Sequence, residues 1–183
     1  MCYIRFLAIL FIPFLVVQFA YSQSRDGVKK STDVLVFITP VAGFAATLAL
    51  KDYEGTKQIV LSGATCIAST YLLKYITKKE RPDHDGNRSF PSSHTSVAFQ
   101  GASFIQKRYG WKYGIPAYAI SAYVGWGRVY AKRHDWWDVL AGATIGTVSS
   151  YIFTRPFAKN HNIALSPAII NNKYPGIYAS VKF

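Results

Sequence analysis

Charge is scarce in this chain of 183 residues: only 16% are Asp, Glu, Lys or Arg, against roughly a quarter in an ordinary soluble domain. Helices of such a chain must pack tightly on one another or face lipid. Acidic residues are the scarcer kind, nine against 21 basic ones, which leaves a formal net charge of +12. That balance favours anionic partners: nucleic acid, anionic lipid or a phosphorylated substrate. Cysteine is nearly absent. Cys2 lies in the N-terminal apolar segment and Cys66 in another apolar run, which argues against a disulfide framework. No internal repeat, low-complexity tract or nucleic-acid-binding motif is present, and the cations cluster at the ends of apolar segments. No carboxylate cluster is placed to hold a pair of metal ions, which disfavours a two-metal mechanism. Clean runs of about 20 apolar residues, the length that crosses a bilayer as a helix, are missing as well.

Half of the residues are apolar and 16% are aromatic. The N-terminus resembles an export signal. Arg5 precedes an apolar run from Phe6 to Phe19, and Ala20-Tyr21-Ser22 offers small residues where a signal peptidase needs them. Residues 1–22 are read as a signal peptide or a first transmembrane helix, and residues 23–33 as a polar linker. Five apolar segments follow, at about Val34–Leu50, Ile59–Ile76, His94–Gln106, Ile115–Ala131 and Asp138–Phe153. They are too long for strands and do not alternate, so each is expected to be a helix. Asp33 is placed to cap the first, Ser92 or Ser93 the third, and Pro82 stops the second. Gly142, Ala143 and Gly146 permit close helix contacts. The expected fold is all-α: a bundle of about five core helices over residues 34–160, with a short β-hairpin at 161–183. The hairpin rests on the alternation of Ile177, Ala179, Val181 and Phe183 with polar residues or Tyr178.

The polar residues gather in two stretches, Lys74 to His94 and Arg128 to Asp138. In an up-and-down bundle, the connections that carry them emerge at the same end. Lys74 and Arg81 are seven residues apart, about two helical turns; by themselves they would serve equally well as snorkelling cations at a helix end. Pro91-Ser92-Ser93-His94 precedes an apolar helix whose first N–H groups suit an anion, although a plain serine cap explains the same residues. His134 and Asp138 are four apart and meet on one helical face. There the carboxylate fixes one ring nitrogen and frees the other to attack. Trp136 and Trp137 are read as wall or interface anchors. Taken together, three separated cations, a helix start and two histidines assigned to one mouth point to phosphoryl transfer, where positioning and electrostatics supply most of the catalysis.

At this point three motifs stand in order: Lys74-x6-Arg81-Pro82, Pro91-Ser92-Ser93-His94 and Gly127-Arg128-x5-His134-x3-Asp138. The chain resembles the type 2 phosphatidic-acid phosphatase (PAP2) and vanadium haloperoxidase superfamily over about residues 34–155. The resemblance implies a metal-independent phosphatase without cofactor. It makes His134 the nucleophile that becomes a phosphohistidine, Asp138 its orienting partner, and His94 the group that protonates the leaving oxygen and then activates water. Lys74, Arg81, Ser92 and Arg128, with the backbone N–H groups of Ser93 and His94, would bind the phosphoryl oxygens. Ser93 replaces the family's glycine and Gly127 its serine. The expected partners are a membrane and a phosphorylated lipid or other phosphate ester, and not nucleic acid. The expected location is the cytoplasmic membrane of a bacterial envelope, with the mouth towards the periplasm. The alternatives are a soluble periplasmic acid phosphatase, a vanadium-dependent haloperoxidase and a non-enzymatic membrane protein.

Overall fold

The computed structural model describes residues 24–157 and the strands at 162–170 and 174–182. The expected leader or first span at 1–22 lies outside the described residues. Six helices follow one another: α1 (Arg25–Leu35), α2 (Ile38–Ala49), α3 (Tyr53–Thr77), α4 (Ser93–Tyr109), α5 (Trp111–Tyr130) and α6 (Trp136–Phe153). Strands β1 (Asn162–Ile170) and β2 (Tyr174–Lys182) then pair antiparallel, with Asn162 opposite Lys182 and Ile170 opposite Tyr174. This is the expected bundle and hairpin, with one helix more than the apolar segments announced.

The added helix is α1, where residues 23–33 were expected to be a linker. Ser24 caps it, accepting the Gly27 N–H at 3.0 Å. Val28, Thr32 and Leu35 are buried on one face while Lys30 on the other is exposed. An amphipathic helix of this kind looks polar when scanned for apolar runs, because only one stripe faces the core. Asp33 therefore caps nothing: it lies inside α1. The chain breaks at Val36–Phe37, and α2 begins with Pro40 in its first turn, where proline's missing N–H costs nothing.

The other ends follow local chemistry. Asp52 caps α3 by accepting from Gly55 N at 2.9 Å. Ser92 caps α4 as expected. Gly110, at φ 94°, separates α4 from α5. Asp135 and Asp138 form a reciprocal capping box that starts α6.

Helix α4 is the axis of the bundle, and α2, α3, α5 and α6 all pack on it. Its buried neighbours are tied to it by hydroxyls. Thr39 and Ser121 both donate to Ala98 O, at 2.7 and 2.9 Å. Ser150 donates to Gln100 O at 2.6 Å, and Gln100 Nε2 to Ser62 at 2.8 Å. The outside is the reverse: Phe37, Leu61, Tyr71, Leu72, Ile115 and Ile152 are all exposed. Small and hydroxyl-bearing residues inside with large apolar residues outside is the packing of helices solvated by lipid. By length and composition, α3 and the stretch Arg25–Ala49 that holds α1 and α2, each 25 residues, are also sufficient to cross a bilayer. The chain is membrane-associated.

The helix order sends the α3–α4 and α5–α6 connections to one end. At the other end, Arg108 pairs with Asp52 and donates to Arg155 O at 2.8 Å, closing the α2–α3 turn against the chain that leaves α6. Close approach of α6 to α4 depends on Gly146. A Cβ there would run into Ser96 O and stand 2.8 Å from Gln100 N, both backbone atoms that cannot step aside. Gly146→Ala is expected to destabilise the bundle by about 1–3 kcal/mol, read as a lowered midpoint of thermal unfolding in detergent; an unchanged midpoint would contradict the packing.

Candidate active site

The mouth is built around Asp138, in the first turn of α6 and fully buried. Its Oδ2 accepts from Ser89 Oγ and from Asp135 N at 3.1 Å, and lies 3.4 Å from His134 Nδ1, which stands 3.4 Å from Ser89 Oγ as well. Its Oδ1 accepts from Lys79 Nζ at 2.9 Å, and Lys79 also meets Asp135 at 2.5 Å. Its backbone carbonyl accepts from Ser92 N at 2.9 Å. The carboxylate therefore binds the α3–α4 loop, the α5–α6 loop and the start of α4 in one network.

His134 is almost wholly enclosed. With the Nδ1 proton directed at Asp138, Nε2 keeps its lone pair. Burial lowers the His134 pKa; its interaction with the Asp138 carboxylate opposes this, and the nearby charges of Lys74 and Arg128 add to the lowering. Burial thus disfavours the protonated ring.

Arg128, near the end of α5, is 5% exposed. Its Nη1 meets Asp33 Oδ1 at 2.6 Å and Thr32 Oγ1 at 3.3 Å. The same Asp33 oxygen lies 2.9 Å from His94 Nε2. Lys74, near the end of α3, is buried and donates to Arg88 O at 2.8 Å and Ser89 O at 3.4 Å. Arg81 leaves α3 into the loop and donates to Asp85 O at 2.9 Å. The Nε groups of Arg81, Arg128 and Arg133 are buried with no acceptor among the described residues. Buried donors without partners are costly, and an anion in the mouth would satisfy such groups. The bonds of Ser92 Oγ, from Thr95 N at 3.4 Å and Thr95 Oγ1 at 3.0 Å, are ones it accepts. Its own proton remains available to a further acceptor. Ser93 and His94 are the first two residues of α4, where backbone N–H groups find no acceptor within the helix.

All eight residues singled out in the sequence lie at this one end. Asp138 is joined directly to two others, to His134 through its side chain and to Ser92 through its carbonyl, while His94 and Arg128 are joined through Asp33, which sequence reasoning had set aside as a cap. Ser89 and Lys79 were missed too. Ser89 sits between the motifs and Lys79 at an unspecified position of the first, and no spacing rule links a loop residue to a helix start 49 or 59 positions later. Arg133 was missed as well. It clasps Asp83 at 2.8 Å and Asp85 at 2.7 Å, fastening the two loops together.

The lowered His134 pKa has a definite sign. A free histidine is half-protonated near pH 6.5; His134 stays neutral to more acidic pH. Titration of the His134 ring by NMR in detergent is expected to give a midpoint below that of a free histidine, and a midpoint above it would show that Asp138 outweighs burial.

Comparison with known proteins agrees with this geometry. Residues 55–162 match the PAP2 superfamily. The chain is 30% identical over 133 residues to the lipid A 4'-phosphatase of Helicobacter pylori J99, covering 67% of each chain. It is 32% identical over 101 residues to the lipid A 1-phosphatase of Porphyromonas gingivalis, covering 49% of this chain and 23% of that one. Among solved structures, Aquifex aeolicus LpxE superposes with a TM-score of 0.53 at 25% identity, over 66% of this chain and 83% of that one. The match extends from the start of α3 past the end of α6 and so takes in the mouth with both of its loops: the chain belongs to the PAP2 superfamily and is a phosphatase of that type.

Proposed function

We propose that this protein hydrolyses a phosphate monoester of a membrane lipid, through a phosphohistidine at His134 and without a metal ion. The observation that carries the reading is the His134–Asp138 pair, set in a cationic mouth at the end of a bundle whose outer surface is apolar. In the first step His134 Nε2 attacks phosphorus and the P–O bond to the lipid breaks, while His94 delivers a proton to the departing oxygen. Asp138 balances the charge that builds on the His134 ring. In the second step water attacks phosphorus, the bond to His134 Nε2 breaks, His94 takes the water's proton, and inorganic phosphate leaves. Splitting the displacement in two replaces one high barrier with two lower ones. Lys74, Arg81, Ser92, Arg128 and the N–H groups of Ser93 and His94 hold the three non-bridging oxygens, where charge is redistributed in the transition state.

The relatives' names direct the choice of substrate to lipid A phosphates, at either the 1 or the 4' position. Such a substrate would leave its acyl chains in the bilayer against the exposed apolar helices while its phosphate enters the mouth. In the proposed orientation the mouth faces the periplasm, and Lys107, Arg108, Lys112 and Arg155 at the opposite end lie in the cytoplasm, consistent with the excess of Lys and Arg on that side of membranes.

The test is phosphate release by detergent-purified protein in EDTA. The panel is lipid A 1-phosphate, lipid A 4'-phosphate, phosphatidic acid, phosphatidylglycerol phosphate, undecaprenyl diphosphate and a soluble alkyl phosphate. Release from a lipid is expected, with His134→Ala lowering kcat by about 10³-fold or more. Acid quenching during turnover should lose the labelled phosphate from the protein, whereas alkaline quenching should retain it on His134. Efficient turnover of soluble esters with none of lipids would refute the lipid reading. Halide oxidation dependent on added vanadate would replace it with the haloperoxidase one. Orientation is read separately: a cysteine at position 132 should react with an impermeant maleimide in spheroplasts, and one at position 112 should not.

A further inference from the structure

Asp33 lies outside all three motifs, yet it touches two of the residues that the phosphatase mechanism uses. Its Oδ1 takes the Nη1 of Arg128 at 2.6 Å and the Nε2 of His94 at 2.9 Å. Thr32, the residue before it, accepts from the same Nη1 at 3.3 Å. Two consecutive residues of α1 thus reach into the mouth from a helix that contributes nothing to the motifs.

This approach requires glycine at position 127. A Cβ there would stand 2.5 Å from Thr32 Cγ2 and 3.1 Å from Val28 Cγ1, inside van der Waals contact. The serine that the motif usually carries at this position would push α1 away from α5. The departure from the motif and the arrival of Asp33 are therefore one structural event: the lost hydroxyl beside Arg128 is replaced by that of Thr32, and a carboxylate comes with it.

We propose that Asp33 is the positioning residue for His94, holding its ring through Nε2 so that Nδ1 faces the scissile ester. The arrangement mirrors Asp138, which holds His134 through Nδ1 and leaves Nε2 to attack. The inference rests on the mechanism proposed above, in which His94 moves the proton. As the P–O bond breaks, the Nδ1 proton of the His94 imidazolium passes to the leaving oxygen, and the Nε2 proton stays on the ring, facing Asp33. As water attacks the phosphohistidine, Nδ1 takes the water's proton and the imidazolium is restored. Asp33 remains a carboxylate throughout. The charged groups around His94 are Asp33 from α1, Arg128 from α5 and His134 from the α5–α6 loop, with Lys74 of α3 and Asp138 of α6 at the same end. Of the two carboxylates, Asp138 is committed to His134, Ser89 and Lys79, so Asp33 alone is in contact with His94.

The test varies the leaving group. p-Nitrophenyl phosphate departs without help from an acid, whereas an alkyl phosphate such as decyl phosphate needs a proton. Full-length Asp33→Asn, His94→Asn and Gly127→Ser are compared with the unaltered protein in detergent, each checked for an unchanged melting midpoint. Asp33→Asn and His94→Asn are expected to lose about tenfold more kcat/KM on the alkyl ester than on the aryl ester. Gly127→Ser should show the same bias, because it displaces α1 without touching Asp33, and Asp33→Glu should restore part of the alkyl activity. Equal losses on both esters in Asp33→Asn would overturn the proposal and assign Asp33 to Arg128 or to the fold. Tighter inhibition by vanadate with undiminished turnover would overturn it too, showing a carboxylate that competes with the phosphoryl group. If Asp33→Asn does not fold, Gly127→Ser decides by the same comparison. If His94→Asn itself lacks the bias, the role of His94 fails and that of Asp33 with it. Turnover that still depends on His134 would in that case leave the phosphatase reading standing.

Discussion

A single buried carboxylate, that of Asp138, fastens the mouth of this bundle. It takes hydrogen bonds from Lys79 and Ser89 of one loop and from Asp135 of the other, it pairs with His134, and its carbonyl takes a hydrogen bond from Ser92 at the head of α4. A fully buried anion is tolerable only when its lone pairs are satisfied and a cation stands near. Each of those partners is thus fixed by the need to satisfy Asp138, and each fixes something in turn. Lys79 and Ser89 hold the α3–α4 loop, which carries Arg81. Asp135 starts α6. His134 acquires its tautomer. The salt links from Arg133 to Asp83 and Asp85 close the same two loops at the rim. The mouth is formed by elements that Asp138 has already located.

This also explains how a rigid site can stand on a bundle whose core has little apolar bulk. Among the described residues Phe104 is the largest fully buried side chain, and many of the other buried residues are threonine, serine and alanine. In water, such a core would supply little hydrophobic driving force. In lipid the driving force between helices is close packing and interhelical hydrogen bonding instead. The bonds from Thr39, Ser121 and Ser150 to carbonyls of α4, and the glycine contact at Gly146, are of that kind. With α4 held from every side, the N–H groups at its first turn point at one place, which is what an anion site at a helix start needs.

How much of this was legible beforehand follows from the range over which each signal acts. The five apolar segments became helices because length and non-alternation are local properties. The His134–Asp138 pair was legible because a spacing of four fixes geometry on one helical turn, and the shared end of the two polar stretches because helix order alone determines it. Helix α1 was not legible: its buried stripe of Val28, Thr32 and Leu35 is interrupted by lysines and aspartates, so no run of apolar residues marks it. Ser89 and Lys79 were hidden for another reason. Their partner lies across the bundle, and a loop's path over a helix start is decided by the whole fold rather than by neighbours in sequence.

The position of α1 bears on the energetics of the empty mouth. Arg128 is enclosed, and Asp33 and Thr32 satisfy only its Nη1; Nε is left without an acceptor, as is that of Arg81. Cations gathered this closely repel one another, and the acidic residues of the chain are too few to neutralise them all. Within the mouth the acids are instead spent one at a time on orientation: Asp138 on His134, Asp135 on Lys79 and the start of α6, Asp83 and Asp85 on Arg133, and Asp33 on Arg128 and His94. What remains uncompensated at this end is positive charge and the buried Nε groups of Arg81 and Arg128. A phosphoryl group, carrying up to two negative charges and three acceptor oxygens, supplies what that space lacks. The scarcity of acidic residues that marks the whole sequence thus acts locally: with more carboxylates the mouth would be neutral when empty, and the substrate would have less to gain on entering.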